Sequence, residues 1–273
     1  MFHRIARVTE HVPLAERTFR VRLDCPDIAA AIRPGQLVML RLPNTTDPLL
    51  GRPFALYDTV LDAAGKPIGL DVVYLVVGKM TGRLAGVAMG DSLQVWGPLG
   101  QPFLDVSSVD SVTFVAGGIG QTPFLAFARE LLGTRGYGGD APRKRTGNVS
   151  LYYGVRSAAL AAGVDDFRAA GVEVHLASDD GSVGYKGFVT QLLTSHGKTG
   201  PLVGCGPEPM LHALAKVARA WDVPCQISLE TPMACGVGIC FSCVTKVTTP
   251  DGWDYRRVCM DGPVFDSAQL VWE

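Results

Sequence analysis

The sequence has no surplus of charge, no apolar run long enough to cross a bilayer, and no histidine pattern suited to ligating a metal. Basic residues number 25 and acidic residues 26, for a formal net charge of −1. Phosphate binding along a nucleic acid needs an excess of Lys and Arg, so nucleic acid is excluded as the main partner. So small a charge also leaves little long-range field to steer a partner, and a docking surface should be apolar or locally patterned. No segment approaches the roughly 18 consecutive apolar residues of a membrane span. Residues 1–10 carry Arg4 and Arg7 with no apolar stretch behind them, so no secretory leader is expected and the cytoplasm is the expected compartment. Internal repeats and low-complexity tracts are absent too, and the five histidines are scattered.

What is present divides into three parts. A chain of 273 residues, 47% hydrophobic, suits two domains, or two with a small appendage. Residues 1–105 read as short strands (15–23, 37–42, 53–57, 70–77 and 93–96) between Pro- and Gly-bearing turns, with one helical segment at 81–88. That spacing predicts a small antiparallel barrel. Residues 106–230 alternate strand and helix: strands at 112–116, 149–153, 173–177, 201–204 and 226–230, helices at 122–132, 165–170, 188–195 and 209–221. A doubly wound parallel α/β sheet follows. A polar, Gly-rich insert at 135–147 is expected on a mobile loop. Residues 231–273 are rich in Cys and Gly and too few for a hydrophobic core of their own, so a metal site is the expected staple.

Seven cysteines, an odd number, argue against a disulfide framework. Four crowd together as Cys235, Cys240, Cys243 and Cys259, a C-x4-C-x2-C…C spacing shared with plant-type [2Fe–2S] sites. Three thiolates from one loop can wrap such a cluster, and Gly236 and Gly238 let backbone N–H groups approach its sulfides. Cys259, beyond a hairpin expected over 245–255, would close the cage. A structural zinc site and buried free thiols are the alternatives, although zinc favours paired C-x2-C knuckles and only one pair here has that spacing. Cys25 and Cys225 read as small buried residues.

Gly117-Gly118-Ile119-Gly120-Gln121-Thr122-Pro123 follows the strand at 112–116, where glycines and a helix N-terminus suit a pyrophosphate. It is not the G-x-G-x-x-G fingerprint and alone is ordinary turn chemistry. It gains meaning beside Gly204-Cys205-Gly206-Pro207-Glu208-Pro209-Met210 at the end of a later strand and the upstream Arg52-Pro53-Phe54-Ala55. Together these segments resemble the three signatures of the ferredoxin–NADP reductase superfamily. The tail, from Met233 through Cys243 and from Val258 to Phe265, is similar to that of the electron-transfer subunits of two-subunit, NAD-dependent dihydroorotate dehydrogenases. The resemblance covers essentially the whole chain.

The resemblance implies an FAD-binding barrel over 1–105, a nicotinamide-nucleotide domain over 106–230 and a [2Fe–2S] domain over 231–273. It places Arg52, Pro53, Phe54, Ala55, Val73, Tyr74, Leu75, Met80 and Thr81 against FAD, with Arg52 suited to paired hydrogen bonds on the diphosphate. It places Gly117, Gly118, Gly120, Thr122, Pro123, Cys205, Gly206 and Pro207 against NAD(H), with Cys205 a shaping residue. Ala55, Leu75 and Met80 depart from the Ser, Arg and Gly common in relatives, so those flavin contacts differ here. Asp180-Gly181-Ser182 suits a ribose contact or a loop cap. Arg156 and the run Arg143-Lys144-Arg145 suit a 2′-phosphate or plain solvation, while the resemblance points to NAD.

The implied function follows from electron counting. NAD(H) exchanges a hydride, a [2Fe–2S] cluster one electron, and a flavin mediates between them. A partner subunit with FMN would oxidise dihydroorotate in pyrimidine biosynthesis. Electrons would then pass through this chain's cluster and FAD to NAD+, in a hetero-oligomer expected to be a heterotetramer. No residue of this chain is expected to act as a catalytic acid or base. The alternatives are a subunit of another reductase, such as a ferredoxin–NADP oxidoreductase or sulfide dehydrogenase, and a non-enzymatic redox-sensing or metal-binding module.

Overall fold

The computed structural model describes residues 1–106 and 109–272. Residues 107–108 and 273, inside the expected nucleotide and cluster domains, lie outside the described residues. Strands β1 (Phe2–Ala15), β2 (Thr18–Asp24), β3 (Leu37–Arg41), β4 (Arg52–Ala55), β5 (Asp58–Leu61), β6 (Pro67–Leu75) and β7 (Ser92–Leu99) form one sheet, with helices α1 (Pro26–Ala31) and α2 (Lys79–Leu84) beside it. Their order is β4-β3-β7-β1-β2-β6-β5, and every neighbouring pair is antiparallel. The two edge strands, β4 and β5, are consecutive in the chain. Between them the N–H groups of Leu56 and Tyr57 donate to the carbonyls of Gln36 and Asp71, each at 3.1 Å, and curl the sheet into a barrel. Period-2 patterning drives this: along β7, Leu93, Val95, Gly97 and Leu99 point inward while their neighbours face out.

One expected strand, 15–23, is really a turn and a strand. Ala15 ends β1, the chain reverses at Glu16-Arg17, and Arg17 takes a left-handed φ of 54°. Neither residue is a usual turn former, so the reversal carried no local signal. Strands β1 (apart from Ala15) and β5 and helix α1 also lie outside the expected elements.

The second sheet holds β8 (Val109–Gly117), β9 (Thr146–Val155), β10 (Glu173–Ser178), β11 (Tyr185–Lys186), β12 (Leu202–Cys205) and β13 (Cys225–Ser228), with α3 (Phe124–Leu131), α4 (Val164–Ala169), α5 (Val189–His196) and α6 (Glu208–Trp221) between them. After it come a hairpin, β14 (Val244–Thr249) and β15 (Gly252–Arg257), and the short β16 (Val264–Asp266). The sheet order is β11-β10-β9-β8-β12-β13-β16, all parallel except the last pair. As the sequence implied, an antiparallel barrel precedes a doubly wound α/β sheet with a small cysteine-bearing segment at the end. Strand order reverses between β8 and β12, and the turns after these two strands open onto the crevice where such sheets bind ligands.

Sharing of cores explains how the small terminal segment stays folded. Met233, Cys243, Val247, Val258, Cys259, Phe265 and Leu270 pack into one cluster with Leu37, Met39 and Leu99 of the barrel, Leu202 and Ile227 of the second sheet and Leu211 of α6. Barrel and second sheet are also fastened by polar contacts. The hydroxyl of Tyr57 donates to Asp166 at 2.6 Å. Asp58 meets Arg129, accepts from Arg135 at 2.7 Å and accepts from the Tyr137 hydroxyl at 2.7 Å. The insert at 135–147 is therefore docked on the barrel at its start, contrary to the expected mobile loop. Tyr137, only 2% exposed, is the apolar and hydrogen-bonding anchor that its polar, Gly-rich surroundings hid.

Candidate functional site

A cavity of about 690 Å³ lies where the barrel, the second sheet and the terminal segment meet. That volume suits a cofactor-sized ligand. All nine residues assigned to the flavin, Arg52 to Ala55, Val73 to Leu75, Met80 and Thr81, line it. Strand pairing and the short helix α2 bring them together from three separate stretches. The guanidinium of Arg52 is exposed and donates to the carbonyls of Leu50 and Gly51, at 3.1 and 3.0 Å. Tyr74 is fixed from behind: its hydroxyl lies 2.9 Å from His11 Nε2, and its ring stacks on Phe19 and meets the edge of Phe54. Burial pushes the Tyr74 hydroxyl well above its ordinary pKa, so it stays protonated. The hydroxyl of Thr81 accepts from the N–H groups of Val77 and Gly78, at 3.0 and 3.1 Å, and so shapes the entry to α2.

On the opposite wall, Gly120, Thr122, Pro123 and Cys205 line the same cavity. Gly117, Gly118, Gly206 and Pro207 do not line it; Gly117, Gly206 and Pro207 pack behind it, where the turn after β8 touches the turn after β12. Gly120 makes this possible, because a Cβ there would sit 2.3 Å from the carbonyl oxygen of Cys205. The Cys205 thiol is pushed up to about 12, first by burial and then by the nearby Glu230 carboxylate. It remains a thiol at neutral pH and shapes the wall. Asp180 bonds the N–H and hydroxyl of Ser182, at 2.9 and 2.6 Å, forming a closed local turn.

The segment 228–234 completes the wall and was missed by sequence reasoning. Its only signal was position: it follows the last parallel strand, whose C-terminal end must reach the same edge as the two glycine turns. Glu230 stays open to solvent through the cavity, yet the crowding of its walls lifts the carboxyl above the usual carboxylate range. The Thr231 hydroxyl oxygen is buried without a partner, a polar atom waiting on a ligand.

The four clustered cysteines carry free thiols in one neighbourhood. Among the described residues, no three or more His, Cys, Asp or Glu side chains converge as ligands of one metal ion. Instead Cys235 pairs with Cys240, and Cys243 with Cys259, while Cys259 also feels Cys235. The backbone fits a bound cluster. Gly236 and Gly238 have left-handed φ of 72° and 78°, and the Val237 N–H points at Cys235 Sγ from 3.4 Å. Trp96 of the barrel donates to the Cys235 carbonyl at 3.1 Å, and Val258 N–H donates to that of Cys243 at 2.7 Å. The Ser242 hydroxyl, its N–H and Cys235 draw the Cys240 thiol down to about 6. Ala234 and Ser242, each next to a cysteine of the cluster, line the cavity. The loop of the clustered cysteines therefore reaches the cavity that the residues expected to hold the flavin also line.

Comparison with known proteins agrees with this geometry. Residues 230–271 match the iron–sulfur cluster binding domain of dihydroorotate dehydrogenase B, and residues 6–103 match an oxidoreductase FAD-binding domain. The dihydroorotate dehydrogenase B (NAD(+)) electron transfer subunit of Desulforamulus reducens is 35% identical over 272 residues, with 98% of each chain covered. That of Geobacillus kaustophilus is 36% identical over 261 residues, 94% of each chain. Among solved structures, an NADH-dependent reduced ferredoxin–NADP oxidoreductase superposes with a TM-score of 0.78 at 26% identity, covering 98% of this chain and 90% of its own. Phthalate dioxygenase reductase, at 19% identity and a TM-score of 0.63 over 90% of this chain and 87% of its own, shares the fold. With relatives this similar along its full length, the chain belongs to the family of dihydroorotate dehydrogenase B (NAD(+)) electron transfer subunits.

Proposed function

We propose that this chain passes electrons from a dihydroorotate-oxidising partner, through a [2Fe–2S] cluster and FAD, to NAD+. One observation carries the reading: a single cavity joins the barrel residues, the two nucleotide turns and the neighbours of Cys235 and Cys243. When bound, the flavin supplies the change between one-electron and two-electron chemistry. The chain's own residues bind, orient and exclude water. Arg52, whose guanidinium donates to the carbonyls of Leu50 and Gly51, would hold the flavin's diphosphate. Phe54, Val73, Tyr74, Leu75 and Met80 form apolar walls, and Ala55, lacking a hydroxyl, offers only backbone. Gly117, Gly118, Gly120, Thr122, Pro123, Cys205, Gly206 and Pro207 hold the nicotinamide nucleotide. Cys235, Cys240, Cys243 and Cys259 would hold the irons as thiolates when the cluster is bound.

The same reading divides the chain at about residues 105 and 230 into FAD, nucleotide and cluster domains. It also supplies a partner face. Ile239, 81% exposed, and Phe241, 62% exposed, flank Cys240 within the cysteine loop, and Leu49 and Leu50 are exposed on the barrel side. An apolar surface of this kind suits a chain with almost no net charge. No described helix is long and apolar enough to cross a membrane. We place the protein in the cytoplasm, as a heterotetramer with the FMN-bearing partner.

Anaerobic NADH titration of the purified complex tests the reading. Flavin and cluster absorption should bleach together, and dihydroorotate should do the same only when the partner is present. A colourless chain sinks the cofactor assignment. Co-purification with a ferredoxin, without any pyrimidine-oxidising subunit, sinks the choice of partner.

A further inference from the structure

Arg257 ends β15 two residues before Cys259, and its guanidinium crosses to the other cysteine-bearing loop. There Nη1 donates to the carbonyl of Gly238, two residues before Cys240, at 3.3 Å. The cation also lies 5.6 Å from the ring centre of Phe241. Asp261 holds it in place: Nε donates to Oδ2 at 3.2 Å, Nη2 to Oδ1 at 3.4 Å, and the backbone N–H of Arg257 to Oδ2 at 2.8 Å. Packing leaves little freedom, since a Cβ on Gly238 would stand 3.1 Å from Nη1. The adjacent Arg256 has its own partner, Asp254, at 2.6 Å. One fixed cation thus sits between the loop carrying Cys235, Cys240 and Cys243 and the strand end leading to Cys259.

We propose that Arg257 tunes the cluster, holding its reduction potential above the value four thiolates alone would set, with Asp261 orienting the cation and partly offsetting it. The proposal rests on the reading that these cysteines bind a [2Fe–2S] cluster. Four thiolates leave such a cluster negatively charged, and one added electron makes it more so. A nearby cation therefore stabilises the reduced form more than the oxidised form, and net charge is one of the levers that set such potentials. Both members of the Arg257–Asp261 pair are about one-third exposed, so solvent and salt screen the effect without abolishing it. A potential raised at this point eases the step in which the cluster accepts an electron from the partner.

An electrostatic role and a structural one predict different signs. Anaerobic redox titration of the intact complex, followed by the electron paramagnetic resonance signal of the reduced cluster, separates them. In Arg257→Gln the reduced-to-oxidised ratio at a fixed potential should fall by about three- to tenfold, tenfold being about 59 mV for one electron. In Asp261→Asn, which leaves the cation unopposed, the ratio should rise. Arg257→Lys keeps the charge but cannot span both Gly238 and the two carboxylate oxygens, and should stay near the wild type. Should Arg257→Gln fail to assemble a cluster, the upward shift in Asp261→Asn and the retained potential in Arg257→Lys decide the matter. Shifts of the same sign in Arg257→Gln and Asp261→Asn overturn the proposal, as does an unmoved potential in both or an Arg257→Lys that behaves like the Gln variant. Absence of any cluster signal in the wild-type complex overturns the cofactor reading instead.

Discussion

Replacing Gly120 by alanine would wedge apart the two turns that meet at the nucleotide side of the cavity. The added Cβ would stand 2.3 Å from the Cys205 oxygen, 2.5 Å from its carbonyl carbon and 2.7 Å from the Gly206 nitrogen, where ordinary contact begins near 3.4 Å. All three neighbours are backbone, so no side chain can swing away. The turn after β8 and the turn after β12 must separate by about 1 Å, an overpacking strain of about 1–3 kcal/mol. Misplacing a reacting group by about 1 Å costs about 100-fold in rate. Gly120→Ala should therefore slow NADH-driven flavin reduction by about 100-fold in stopped-flow measurements on the anaerobic complex. Reduction by dithionite and the cluster's visible bands should be unchanged, because Cys235, Cys240, Cys243, Cys259 and the barrel wall lie outside the wedge. A rate within about threefold of the wild type would refute the reasoning.

Asp58→Ala should lower the unfolding temperature by about 6–12 °C, measured by scanning calorimetry, since it strands Arg129 and Arg135 beside a buried hydroxyl at a cost of about 3 kcal/mol. A change under about 2 °C would show that the clamp between barrel and second sheet carries no weight. Glu230, whose folded-state pKa is raised, favours its neutral form in the fold, so wild-type stability should fall as pH rises from the ordinary carboxylate range through the raised value. Glu230→Gln should match the wild type at acid pH and exceed it above that window; parallel thermal-unfolding profiles against pH would contradict this. Cys259→Ala should abolish stoichiometric iron and acid-labile sulfide while leaving flavin absorption in place, and retention of both elements would remove this thiol from the ligand set.

Much of the site could be read residue by residue because its chemistry depends on short spacings. Three of four cluster cysteines lie within nine residues, and each glycine turn is a contiguous heptapeptide, so local covalent geometry alone implied what they hold. Alternating burial along β7 and the apolar run in β8 declared strands in the same local way. Misreadings fell where a tertiary partner overrode composition. Tyr137 looked like one aromatic in a polar insert until Asp58, far away in sequence, supplied its buried partner. Arg17 reversed the chain with no turn-forming neighbour, and β1 lacked a strong alternating pattern because many of its residues are only partly covered.

By itself, then, the sequence determined which cysteines are expected to hold the cluster, where the two glycine turns fall and the barrel-then-α/β order of the chain, since each depends on residues near one another along the backbone. Only the tertiary structure decided that segment 228–234 walls the cavity, that Ala234 and Ser242 bring the cysteine-bearing loop to the wall that the expected flavin residues share, and that Arg257 reaches the Gly238 carbonyl. These are contacts between distant stretches. They exist because a terminal segment with no core of its own must bury its apolar residues between two sheets, and that burial sets the distance an electron has to cross.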